Sequence, residues 1–259
     1  MERTIDAFTT KAEKVTFPMT ACLAEKYPSL FRAGAEFAVH GYRHQDYSKL
    51  DTTELEWHLE KSLAIFQKAG YGNIGFRAPY LKVKKDILRS LKTCGFLYDS
   101  SSVIHWGWLS AEKQNEQYKR TLEHYAPWDS RDKESLPYHE EELLRLPVSL
   151  PDDEMLIDRL GIRDQDKLFE IWSGILHQCN QRNEMFVLLL HPERYFMAEG
   201  AIDKLIEEAD NTGMWRATLK EIALWWDSPG RSQRWPHKHR GALCITGDID
   251  MVSLLDLFR

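Results

Sequence analysis

His40 and His44 are separated by three residues and directly follow the short apolar run 36–39. If the backbone makes one helical turn there, both imidazoles can face one metal ion. Taken alone, the pair reads sooner as ordinary surface or core histidines. Asp248 and Asp250 close the apolar segment 241–247, so one carboxylate could ligate a metal while the other accepts a proton; Asp250 could instead cap a helix over 251–258. Arg77 opens Arg77-Ala78-Pro79-Tyr80 after residues 74–76. Its guanidinium suits holding an acidic catalytic group, or it simply leaves a strand into solvent. Asp99 ends the run 96–99 and His191 ends the very apolar run 185–190. A histidine emerging from a buried strand is well placed as a general acid, with a carboxylate to orient it and raise its pKa. Together these residues offer two histidines and one aspartate as ligands, a second aspartate as base, an arginine to hold it, and a carboxylate-supported histidine as acid.

The elements that must position them alternate. Helices are expected at 2–13, 24–33, 55–69, 85–93, 166–180, 200–209 and 219–226, with Asp51–Thr53 available as cap and Gly70 and Gly95 as stops. Short apolar strands fall between them at 15–20, 36–39, 74–76, 96–99, 143–150, 185–190 and 215–217, and another opens at 241. Repeated strand–helix units imply a mostly parallel α/β sheet, open or closed into a barrel. Ligands in such folds bind at the carboxyl ends of the strands, where all of these polar residues lie. Residues 101–142 break the rhythm and carry Trp106, Trp108 and Trp128, which read as either a sugar-stacking groove or a small satellite core.

Composition narrows the class. The 259 residues are 43% hydrophobic and 29% charged, too apolar for a disordered chain. The 34 basic against 40 acidic residues leave a net charge of −6, which argues against nucleic acid as a partner. No run approaches the ~20 apolar residues of a membrane span. The start, Met-Glu-Arg-Thr-Ile-Asp, does not read as a signal peptide, so a cytoplasmic location is expected. Cys22, Cys94, Cys179 and Cys244 form no CxxC pair and read as reduced thiols; His237-Lys238-His239 reads as solvated linker. Either a monomer or an oligomer is compatible with these features.

Five motifs resemble the polysaccharide deacetylase family, the NodB homology or carbohydrate esterase 4 domain. His40-Gly41-Tyr42-Arg43-His44 is similar to its H-[S/T]-x-x-H motif, with Gly41 where Ser or Thr is usual. Arg77-Ala78-Pro79-Tyr80 is similar to R-x-P-[Y/F], Asp99-Ser100-Ser101 to D-S-S, and Leu188-Leu189-Leu190-His191-Pro192 to the final histidine motif. Thr246-Gly247-Asp248-Ile249-Asp250 resembles the T-F-D-D motif in a D-x-D form. The resemblance implies a distorted (β/α) barrel that hydrolyses non-peptide carbon–nitrogen amide bonds, foremost by N-deacetylation of an N-acetylated amino sugar or polysaccharide. It implies a divalent metal, zinc foremost, on Asp250, His40 and His44. Asp248 would be the base held by Arg77, the Tyr80 backbone N–H would stabilise the oxyanion, and His191 supported by Asp99 would be the acid. The D-x-D spacing leaves open which aspartate is ligand and which is base.

Order along the chain departs from the family, in which the aspartate motif comes first. Circular permutation is the favoured reading: residues 1–226 supply the barrel from its second strand onward, 227–240 a linker, and 241–259 the permuted first strand and start of the first helix. That places residues 254–259 against 5–13. Alternatively, residues 241–259 begin a second copy in a longer protein. Gly41 and His191-Pro192 also resemble superfamily branches that hydrolyse cyclic amides. Two rival classes share part of the residue set: a non-haem iron enzyme with two histidines and one carboxylate, and a non-catalytic sugar-binding module.

Overall fold

Met185–Leu190 and Ala242–Gly247 carry almost no polar side chain, and every residue of both is buried. Strands apolar on both faces belong inside a parallel sheet flanked by helices. There they lie, paired in parallel from Ala242↔Met185 to Gly247↔Leu190. A computed structural model of the chain describes residues 2–250. The expected helix at 251–258 and the contact of 254–259 with residues 5–13 lie outside the described residues.

In chain order the elements are α1 (Glu2–Ala12), β1 (Val15–Met19), α2 (Ala21–Lys26), β2 (Glu36–Val39), α3 (Thr52–Lys68), α4 (Lys85–Cys94), β3 (Tyr98–Asp99) and β4 (Val103–His105). There follow α5 (Glu116–Tyr125), β5 (Trp128–Asp129), β6 (Tyr138–Glu140), β7 (Leu143–Arg145), β8 (Val148–Leu150), a π-helical segment (Glu154–Arg159) and α6 (Gln165–Arg182). The chain continues through β9 (Met185–Leu190), α7 (Tyr195–Asn211), β10 (Trp215–Arg216), α8 (Leu219–Trp226) and β11 (Ala242–Gly247).

β11 pairs in parallel with β1 as well as β9, and β1 with β2. Single bridges carry the pairing from Val39 to Phe76 and from Phe76 to Asp99. β3 pairs with β7 and β4 with β8, and Ser149 of β8 pairs with Leu188 of β9, which closes the ring. The fold is therefore the mostly parallel α/β barrel expected, and its last strand sits between its first strand and β9. Because the ring strands run in parallel, the residues following β2, Phe76, β8, β9 and β11 gather at one mouth.

Local sequence accounts for the elements. The Asp51 side chain accepts from the Glu54 N–H and starts α3, and Thr218 and Glu221 form a reciprocal capping box at α8. Buried side chains such as Phe17, Phe37, Leu59 and Leu188 each stabilise the core by about 1.5–3 kcal/mol.

Three expectations need correction. Residues 74–76 contribute one bridging residue instead of a strand. Here Gly75 lies against the Tyr98 ring, where a Cβ would collide. Residues 143–150 form two strands, β7 and β8, broken at Pro147, which has no N–H to pair. Residues 101–142 are not structureless: they hold β4, α5, β5 and β6. α5 escaped a periodicity reading because, of its residues, only Tyr118 is buried. Among the described residues no helix is long and apolar enough to cross a membrane.

Candidate active site

The backbone turns at the end of β2 to present two imidazoles. Gly41 takes φ 76°, a left-handed conformation that favours glycine. A Cβ there would stand 2.7 Å from the Tyr47 ring, whose hydroxyl accepts from the Tyr42 N–H at 2.5 Å. That packing explains glycine at the position where the resembled motif has Ser or Thr. His40 and His44 emerge with ring centroids 5.3 Å apart.

β11 delivers the carboxylates opposite them. His40 Nε2 lies 3.1 Å from Asp250 Oδ1, and His44 Nε2 lies 3.6 Å from Asp250 Oδ2. One ligand atom from each of these three residues falls within 4.8 Å of the others. His40 Nδ1 faces the Arg77 carbonyl oxygen at 2.8 Å, so Nδ1 carries a proton and the neutral imidazole would turn its lone pair, at Nε2, to the cavity. That lone pair confronts Asp250 Oδ1, a buried oxygen with no hydrogen-bond donor. Two electron pairs converging in a buried space call for a cation between them, so the donor set fits a divalent metal.

The titration shifts follow the same geometry. Burial pulls the His40 imidazolium down, but the Asp248 and Asp250 carboxylates outweigh it and raise the pKa. Burial leaves His44 below its ordinary value, as a neutral ligand requires. Burial alone would raise Asp250; His40, His44 and His191 instead hold it well below the usual carboxylate range.

Asp248 is set by a different partner. Arg77, fully buried, donates from Nη1 to Asp248 Oδ1 at 2.6 Å and to Thr246 Oγ1 at 2.8 Å. Its Nε and Nη2 reach the carbonyl and hydroxyl of Ser100, both at 3.0 Å. With one oxygen fixed by Arg77, the other, Oδ2, lies 3.9 Å from His40 Nε2 on the metal-triad side.

Asp99 is not where the sequence reading put it. Its carboxylate pairs with Arg145 Nε at 2.7 Å and accepts from the Ser101 hydroxyl at 2.6 Å. Ser101 Oγ in turn accepts from the Ala78 N–H, so Asp99 braces the Arg77–Tyr80 segment. The carboxylate on His191 is Asp153, with Oδ1 2.8 Å from Nδ1 and Oδ2 accepting from the His191 N–H at 2.7 Å. Burial opposes the His191 imidazolium, yet Asp153 raises its pKa well above the ordinary value. The reason is strand order: Asp153 follows β8, the neighbour of β9, whereas β3 pairs with β7. Its signal was available, since Asp152-Asp153 ends a strand as the other motifs do.

His40, His44, Asp248, Asp250 and His191 line one cavity of about 530 Å³, which Tyr80, with φ 59°, also lines. Trp106, Trp108 and Trp128 do not line it, contrary to the groove considered from sequence. Trp106 is buried with its indole N–H on Ser149, Trp108 packs on Gly174, and Trp128 stacks with Lys133. The far wall comes instead from α5 and the π-helical segment, which no motif had marked.

Residues 1–98 match the polysaccharide deacetylase family. That stretch contains His40, His44, Arg77 and Tyr80. The chain is 36% identical over 99 residues to a peptidoglycan deacetylase-like protein, FGM2, of Gibberella zeae; the match covers 36% of this chain and only 29% of that relative's length. Among solved structures it is similar to one described provisionally as a polysaccharide deacetylase from Mycobacterium smegmatis, with TM-score 0.61 and 23% identity over 85% of this chain and 74% of the other. It also resembles Puue allantoinase, with TM-score 0.65 and 20% identity over 89% of this chain and 73% of the other. At such identities the two structures speak for the fold alone. The family match thus spans the first 98 of the 259 residues, and the two solved structures share the barrel fold beyond them.

Proposed function

We propose that the chain is a metal-dependent hydrolase of non-peptide amide bonds, which removes the acetyl group from an N-acetylated amino sugar or polysaccharide. One observation carries this reading: Asp248, held from behind by Arg77, and His191, held by Asp153, line the same cavity as the His40–His44–Asp250 triad. A divalent ion, zinc foremost, held by those three residues would supply Lewis-acid polarisation and lower the pKa of water.

The remaining chemistry falls to side chains. Asp248, one oxygen occupied by Arg77, takes a proton from the attacking water on the other. The water oxygen bonds to the acetyl carbon, and the backbone N–H of Tyr80 stabilises the oxyanion that results. As the carbon–nitrogen bond breaks, His191 passes its proton to the departing amine, leaving acetate and a free amino sugar. The raised pKa of His191 supports its role as acid, because the imidazolium persists near neutrality.

The position of β11 between β1 and β9 supports circular permutation as the account of the motif order. The test is acetate release from N-acetylglucosamine oligomers by the metal-loaded protein. Asp248→Asn should abolish release while bound zinc, measured by elemental analysis, stays near one per chain. Turnover surviving that change would remove Asp248 as the base.

A further inference from the structure

The cavity has a second wall that hydrolysis itself does not require. α5 presents Gln117, Arg120, Thr121, His124 and Tyr125 to it, at i, i+3, i+4, i+7 and i+8 along one helical face. The opposite side of the helix anchors it: Tyr118 is buried with its hydroxyl 3.2 Å from His105 Nε2, and the Asn115 side-chain amide bonds the Arg159 carbonyl. A helix that gives a polar stripe to an open cavity, and a tyrosine to the core, is shaped as a recognition surface.

Charge pairing shows what it recognises. Asp248 is neutralised by Arg77, Asp250 lies among His40 and His44, and Glu154 pairs with Arg159. Arg120 makes no hydrogen bond or ion pair among the described residues, so its guanidinium faces the cavity uncompensated. Arg159, which also lines the cavity, has a buried Nε with no acceptor. An unpaired buried donor costs stability unless a ligand completes it. The free guanidinium of Arg120, with the Nε of Arg159 beside the Nη2 already taken by Glu154, suits an anion, which such groups bind by charge-assisted hydrogen bonds.

We infer that Arg120 and Arg159 bind an anionic substituent of the substrate, so that the chain selects acetamido sugars bearing an acid group over neutral ones. The inference rests on the proposed deacetylation for the identity of the sugar, but the anion site stands on the wall alone.

Binding by titration calorimetry to the metal-loaded protein tests it with three probes: N-acetylglucosamine, N-acetylmuramic acid and N-acetylglucosamine 6-phosphate. At least one anionic probe should bind about ten-fold or more tightly than the neutral sugar, equivalent to ~1.4 kcal/mol. Which one does separates a carboxylate from a phosphate substituent. Arg120→Gln should bring the ratio to within about two-fold, Arg120→Lys should keep part of it, and added salt should reduce it. Equal binding of all three probes, or a ratio unmoved by Arg120→Gln, overturns the inference. Acetate release is read separately: anion preference without hydrolysis would sink the proposed reaction and leave the anion site standing.

Discussion

The two mouths of the barrel both bury charge, and they treat it in opposite ways. At the amino-terminal mouth, Glu36 opens β2 and accepts from the Thr16 hydroxyl at 2.7 Å, the Tyr98 hydroxyl at 2.7 Å and the Lys220 N–H at 2.9 Å. Thr16 Oγ1 accepts in turn from the Leu219 N–H, tying β1 and β2 to the start of α8. At the carboxyl-terminal mouth, Asp250 Oδ1, Asp152 Oδ2 and Arg159 Nε are buried without partners. A satisfied buried network stiffens a fold, whereas an unsatisfied one stores free energy that a bound group can release. The same ring of strands thus has one end finished by its own residues and one end that asks for ligands.

The comparison breaks most visibly at Arg77. Replacing it with Met leaves Asp248 buried beside no cation, and such a loss costs about 3–5 kcal/mol. Arg77→Met should lower the thermal midpoint sharply and abolish acetate release; Asp248→Asn also strands a buried charge but keeps an acceptor oxygen for Arg77, so it should abolish release with a smaller shift. Equal midpoints for the two variants, measured by calorimetry, would show that Arg77 does not rely on the pair.

Next in size is the acid. Asp153→Asn removes the charge that holds His191 above its ordinary value, so kcat should fall by about 10²-fold or more. The sign follows from protonation: the imidazolium is the active form, and a lowered pKa brings its loss to lower pH. The alkaline limb of the kcat profile should therefore move down in pH. Asp99→Asn, which touches Arg145 and Ser101, should leave that limb in place. A limb that moved with Asp99 and stayed with Asp153 would reverse the assignment.

That contrast marks where the sequence became illegible. Parallel strands buried on both faces read as apolar runs, so the polar residue ending each run stands out; His40, Asp99, His191 and Asp248 were all visible in this way. Which carboxylate meets His191 depends on which strand neighbours β9, and strand order is a property of the sheet. Asp99 and Asp153 are equivalent in sequence and separated only by pairing. The recognition wall was hidden for another reason. α5 has only one buried residue, Tyr118, so it carries no apolar stripe, and a helix facing a polar cavity looks like a loop. Gly41 shows the converse: its departure from the motif becomes intelligible once Tyr47 is seen occupying the space of a side chain.

At the finished mouth, Glu36→Ala should cost about 1–3 kcal/mol by stranding Thr16, Tyr98 and the Lys220 N–H. Turnover per folded molecule should be unchanged, because the network lies at the opposite end of β2 from His40. A drop in kcat comparable to the loss of stability would mean that the two mouths are coupled through the strand.

The smallest effect probes the unfinished mouth by pH. Glu36 and Asp152 are both carboxyls raised by burial, but Asp152 has one oxygen on the Met155 N–H and the other on nothing. Burial and the neighbouring Asp153 charge push Asp152 up to about 7, against an unfolded value of about 3.9. Between those values the folded chain keeps a proton that the unfolded chain has released. Stability therefore falls as pH rises through this window, and the full penalty is present above pH 7. Asn at 152 keeps an oxygen for Met155 and cannot ionise. Asp152→Asn should match the parent near pH 4 and gain a few degrees of Tm by pH 8. Parallel Tm curves across that range would mean that Asp152 is not held protonated, and that its bare oxygen is met by solvent entering from the cavity.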